Sequence, residues 1–143
     1  MSLQPEQIVH INIVNWFNYE FPELTDDFHH FANERLITPK GGAEHHEGRI
    51  LKRMGVKKGV ADFFLALPQY DKSGLWIELK VGKNTPKKEQ KEFLLRKASR
   101  GYEAICAWGA DEAKDVILDY LSDYIVIRDI NKLKKVFNGK PIC

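Results

Sequence analysis

What this sequence lacks narrows it first. Two cysteines in 143 residues, Cys106 in an apolar run and Cys143 at the last position, make neither a disulfide framework nor a cysteine zinc spacing. No apolar run approaches membrane-spanning length, and no basic-then-apolar leader precedes a small-residue cleavage site. Together these absences lead to the expectation of a cytoplasmic, reducing environment with no membrane; no small-molecule cofactor is expected either. Repeats, low-complexity stretches and Gly/Ser/Pro linkers are also missing, so 1–143 reads as a single domain, large enough for one core without staples. The third absence is local. Residues 1–34 contain six acids and not one Lys or Arg.

The cations sit further on. Arg49, Lys52, Arg53, Lys57 and Lys58 form one cluster; Lys80, Lys83, Lys87, Lys88, Lys91, Arg96, Lys97 and Arg100 form another, interrupted only by Glu89 and Glu92. The net charge of +2 conceals this segregation. A solvated basic surface is the ordinary fate of such runs. Two of them flanking one short segment also suit a phosphate backbone, whose neutralisation releases counterions.

The flanked segment is Gly59 to Lys80. Phe63–Leu67 and Leu75–Val81 are apolar, aromatic-rich runs separated by Pro68, Asp71, Ser73 and Gly74, which predicts a pair of strands and a turn. Asp62 opens the first; Glu78 and Lys80 interrupt the second. Alternation places Glu78, Lys80 and Trp76 on one face and Ile77, Leu79 and Val81 on the other. Two carboxylates and a lysine from neighbouring strands form a set suited to metal-assisted phosphodiester hydrolysis. Mg²⁺ takes one or two carboxylates plus phosphate oxygens, and a lysine can hold a water or an anion. A structural Glu–Lys ion pair at a sheet edge is the alternative.

Around this segment, Pro5–Tyr19 reads as a helix with Val9, Ile13, Trp16 and Phe17 at helical spacing, ended before Pro22. Glu6 and Glu20 on that helix are about 21 Å apart, so at most one reaches a site near Asp62. His10 shares the face of Glu6. The pairs His29–His30 and His45–His46 lack zinc spacing. Phe28–Asn33 is expected as a strand, Thr38–Gly42 as a loop and Ala43–Met54 as a helix closed by Gly55. Thr85 and Pro86 are expected to start a helix through Ser99 carrying Gln90, with Phe93, Leu94 and Ala98 inward. Next come a strand at Tyr102–Trp108, a helix at Asp111–Ser122, a strand at Tyr124–Ile130 and a short basic helix at Lys132–Phe137. The expected fold is α/β: a mixed central sheet of four or five strands flanked by helices.

The spaced pattern Gly59-Val60-Ala61-Asp62, Ile77-Glu78-Leu79-Lys80 and Gln90 resembles the VRR-NUC (virus-type replication-repair nuclease) branch of the PD-(D/E)XK superfamily. Flanking matches are Trp16-Phe17, Phe21-Pro22-Glu23-Leu24, Asn33, Leu51-Lys52, Gly55-Val56 and Gly101-Tyr102. The resemblance spans about residues 6–122 and leaves 123–143 as an extension without an assigned role. Ala61 departs from the proline usual before the aspartate, and His10 stands where glutamine is common.

The resemblance implies a restriction-endonuclease-like fold and a Mg²⁺- or Mn²⁺-dependent DNA endonuclease. Asp62, Glu78 and the Leu79 carbonyl would be metal ligands, with Glu6, chosen over Glu20 by alignment on Trp16 and Phe21-Pro22, as a further one. Lys80 would position the attacking water, and Gln90 would support the site or face substrate. Free-standing members are similar to homodimeric phage nucleases of branched DNA such as the four-way (Holliday) junction, so a homodimer is implied. Surplus apolar residues at Trp16, Phe17, Tyr19 and Phe21 and at Tyr124, Ile125, Val126 and Ile127 are candidates for its interface. The rivals are a catalytically lapsed nucleic-acid-binding module and a sequence-specific restriction-type nuclease, although short loops leave the latter little material for reading bases.

Overall fold

The computed structural model describes residues 2–32 and 43–137, except for the side chains of 43–47 and 137. A helix, α1 (Pro5–Glu20), and a 3₁₀ turn (Pro22–Asp27) lead into β1 (Phe28–His30). Then follow α2 (Ala43–Arg53), β2 (Phe63–Leu65), β3 (Leu75–Lys80), α3 (Lys88–Ser99), β4 (Glu103–Trp108), α4 (Gly109–Tyr120) and α5 (Ser122–Phe137). The expected positions of Asn33 and of the 38–42 loop lie outside the described residues.

One mixed sheet runs β1-β2-β3-β4. β1 pairs antiparallel with β2, and β2 with β3, in the register Phe63↔Ile77 and Leu65↔Leu75. β3 and β4 are parallel, from Leu75↔Glu103 to Lys80↔Trp108. Parallel neighbours need a long crossover, and α3 supplies it. The four-stranded α/β sheet flanked by helices agrees with the sequence expectation.

β3 is buried on both faces, and the alternation of its side chains divides the core in two. Leu75, Ile77 and Leu79 meet Ile13 and Phe17 of α1 and Ala113, Ile117 and Tyr120 of α4. On the opposite face, Trp76 packs with Ala61, Phe64, Phe93 of α3 and Tyr102. Trp76 stacks on Phe64 with ring centroids 4.3 Å apart and meets Phe93 edge-on. At 25 cal/mol per Å² of apolar area removed from water, aromatic burial of this kind contributes about 2 kcal/mol per ring.

Gly59 fixes how the loop before β2 meets α3. Its φ of +77° suits glycine, and an added Cβ would lie 2.8 Å from the Glu89 Cβ and 2.9 Å from Glu89 backbone atoms. The start of α3 is therefore pressed against the segment that carries Asp62.

Three expectations need correction. The strand at Tyr124–Ile130 and the separate helix at Lys132–Phe137 are one continuous helix, α5. The β-branched run Ile125-Val126-Ile127 favours a strand locally. Helical spacing instead brings Leu121, Tyr124 and Ile125 together on the core, with Tyr124 O–H donating to Glu23 at 2.8 Å and Arg128 to Glu23 at 3.2 Å. Secondly, α3 begins two residues late, with Lys87 in the N-cap position instead of Thr85, and its Ala98 is exposed. Thirdly, Phe17 and Phe21 are buried and Trp16 partly so, which leaves Tyr19 as the exposed aromatic of that group.

Candidate active site

The site is built where β2 begins and β3 ends. The Asp62 backbone carbonyl accepts the Phe31 N–H at 2.8 Å and the His30 ring Nδ1 at 2.9 Å, so β1 holds the residue from behind. Facing a carbonyl, His30 Nδ1 carries the proton. The Asp62 carboxylate turns toward β3, where Oδ2 accepts the Leu79 N–H at 2.7 Å.

That bond puts Asp62 beside the Glu78-Leu79-Lys80 step of β3. Glu78 is 1% exposed, and its Oε1 lies 3.0 Å from Lys80 Nζ, whose side chain is 11% exposed. A buried carboxylate is tolerated because the ammonium offsets its charge. Burial raises the pKa of Asp62 to about 7, with the Glu78 and Glu6 charges adding to the rise and the Leu79 N–H and Lys80 opposing it. The protonated form of Asp62 is thus favoured well above the ordinary carboxylate range. Cys106, opposite Glu78 in the β3–β4 register, is pushed up to about 11 by burial and by Glu78 and stays a thiol.

The remaining predicted residues are placed less centrally. Glu6 acts on Asp62 electrostatically, but α1 packs on the sheet face of Ile77 and Leu79, opposite that of Glu78. Gln90 is buried at the start of α3, where its Oε1 accepts the Lys87 N–H at 2.8 Å and caps its own helix. The His10 ring meets His30 at a tilt and Phe63 edge-on, with ring centroids 4.7 and 5.4 Å apart. Burial, aided by His30, lowers its pKa to about 4, so the ring is neutral at physiological pH.

Sequence reasoning missed His30, whose link to Asp62 depends on strand pairing 32 residues away. It also missed Trp108, which the parallel register places beside Lys80.

Asp62, Glu78 and the Leu79 carbonyl are hard oxygen donors. Among the described residues no three His, Cys, Asp or Glu side chains come together as a metal cage. Mg²⁺ needs none, because water and phosphate oxygens complete its shell. The repulsion between Asp62 and Glu78 is what a divalent cation relieves, so the donor set fits such an ion. The flanking cations Lys83, Lys87, Lys88, Lys91, Arg96 and Arg100 are exposed, whereas Lys97 lies over the rings of Trp76, Phe93 and Tyr102 at 5.3–5.5 Å.

A mixed sheet with an acid at the mouth of one strand and Glu-x-Lys on the next defines a PD-(D/E)XK-type architecture. A solved structure described as a "VRR_NUC domain protein" superposes with a TM-score of 0.68 and 29% identity over 85% of this chain and 92% of its own. No family model and no curated protein matches. This likeness in fold and sequence supports a VRR-NUC domain.

Proposed function

We propose that this protein is a metal-dependent DNA endonuclease that hydrolyses phosphodiester bonds, selective for branched DNA. The observation that carries the reading is the convergence of Asp62, Glu78 and Lys80 through the Asp62–Leu79 hydrogen bond. Asp62, Glu78 and the Leu79 carbonyl would hold Mg²⁺ or Mn²⁺, with Glu6 supporting the cluster from α1. When bound, the ion supplies Lewis acidity toward the phosphate and lowers the pKa of water. Lys80 orients the attacking water against the scissile phosphate. Gln90 holds the first turn of α3, which presents Lys87, Lys88 and Lys91 to the backbone. Labelled linear, flapped and four-way DNA incubated with Mn²⁺, Mg²⁺, Ca²⁺ or EDTA tests this. Cutting is expected with the first two ions, binding with little cutting in Ca²⁺, and none in EDTA. Undiminished cleavage in excess EDTA would reject the metal-dependent reading.

The reading includes a homodimer, because two opposed nicks resolve a near-twofold junction. α5 offers the surface. Tyr124, Ile125 and Arg128 face the rest of the domain, while Val126, Ile130 and Leu133, spaced by four and three residues, lie opposite. With Ile127 and Val136, these residues are 45–60% exposed. A second copy running antiparallel sets the half bearing Asp123 and Asp129 beside the half bearing Lys132, Lys134 and Lys135; a parallel copy aligns like charges. Light scattering should give twice the 16.5 kDa chain mass for the wild type and a single chain for Ile130→Glu. A monomeric wild type, or a variant dimer as stable as the wild type, would reject this interface.

A further inference from the structure

We propose that Trp108 is a stacking platform for an unpaired base next to the phosphate handled at Lys80. This inference rests on the nuclease reading above and adds a reason for selectivity toward branched DNA. Trp108 ends β4, directly opposite Lys80 in the parallel register, after Ala104↔Trp76 and Cys106↔Glu78. Alternation puts the indole on the same sheet face as Glu78 and Lys80. Neighbouring strands are about 4.8 Å apart, so the ring stands one strand away from the lysine. A base adjoining the scissile phosphate has to pass close to it.

The three tryptophans are used differently. Trp76 is buried between Phe64 and Phe93, and Trp16 packs edge-on against Phe21. Trp108 belongs to neither core cluster, makes no ring–ring contact among the described residues, and is 40% exposed. Its indole N–H donates to the Asn84 carbonyl at 2.8 Å, which orients the ring. The same bond ties the ring to the turn that carries Lys83, whose side chain is exposed. An aromatic face held still beside cations is the combination by which proteins take up single-stranded nucleic acid. Inside a linear duplex both faces of a base are already stacked. At a flap or a branch point a base is free to leave the stack, so such a platform discriminates by structure rather than by sequence.

A plainer role is that Trp108 only pins the 82–87 turn through its N–H. Two substitutions separate the roles, because Trp108→Phe keeps an aromatic face and loses the N–H, whereas Trp108→Ala loses both. In EDTA, where no cutting is expected, affinities for a single-stranded oligonucleotide, a flap and a blunt duplex are measured by fluorescence anisotropy. Trp108→Ala should lower the flap-over-duplex affinity ratio about 10-fold, and Trp108→Phe should retain most of that ratio. Intrinsic fluorescence should be quenched on binding the single strand, and Trp108→Phe should remove the quenching. If Trp108→Phe behaves like Trp108→Ala, or if all three DNAs weaken alike, the platform is rejected and the nuclease reading survives. If the parent protein binds none of the three DNAs, both readings fall.

Discussion

Lys80→Ala should lower cleavage about 10²- to 10³-fold, the usual cost of removing one preorganised charge from a hydrolytic site. DNA affinity should fall less than about threefold in the same variant, since exposed Lys and Arg remain on α3 and before β2. Lys80 is little exposed and held 3.0 Å from Glu78, so its ammonium is positioned before substrate arrives. Its removal also leaves Glu78 without that partner in a buried setting, which is costly to folding. Melting curves in Mg²⁺ are therefore recorded alongside, together with Lys80→Gln, which keeps a hydrogen-bond donor and loses the charge. Both variants should be folded, DNA-bound and nearly inactive. If either cuts at the wild-type rate, the Glu78–Lys80 pair is a structural ion pair and Lys80 has no part in the chemistry.

Asp62→Asn should give the second large effect, with opposite signs for activity and stability. Cleavage should fall by at least 10²-fold, because a neutral amide is a poor ligand for a hard cation. Metal-free stability should rise at pH 8. The folded pKa of Asp62, about 7, lies above its unassisted value of 3.8, so the folded state binds more protons than the unfolded chain between those limits. Stability from this group is complete below about pH 4 and is lost as the pH rises through about 7. Asparagine preserves an oxygen acceptor for the Leu79 N–H and removes the charge. After allowance for solvent screening, the gain at pH 8 is on the order of 2 kcal/mol, or roughly 4–8 °C in Tm for a domain this size. Thermal melts of both proteins in EDTA from pH 4 to 9 check it. A wild type as stable at pH 8 as at pH 5 relative to the variant would show that Asp62 is not strained when ionised.

The centre of the fold was legible because its signals are short-range and repeated. Phe63–Leu65 and Leu75–Lys80 alternate with a period that assigns Glu78 and Lys80 to one face without reference to tertiary structure. Asp62 was visible as a charge at the mouth of an apolar strand. What escaped was set by pairing across long sequence distances. Nothing near His30 announces that its ring will hold the Asp62 carbonyl, and nothing near Trp108 names Lys80 as its neighbour. Gln90 illustrates a different limit, since a glutamine three residues past a helix start satisfies its own backbone as readily as it faces a ligand. In α5 a local preference pointed the wrong way. Three β-branched residues in succession favour a strand, and docking of Tyr124 and Ile125 on the core overrode them.

Gly59 adds a constraint of another kind. It has no side chain to offer chemistry, yet its Cα sits where even a methyl group would strike the backbone of Glu89. The loop bearing Asp62 and the first turn of α3 are thus spaced by the absence of an atom, and that spacing sets the distance between the acid and the basic helix. Sensitivity to substitution at position 59 is accordingly a measure of clearance, and a mutational map of this protein would mark it beside the reactive residues for purely steric reasons.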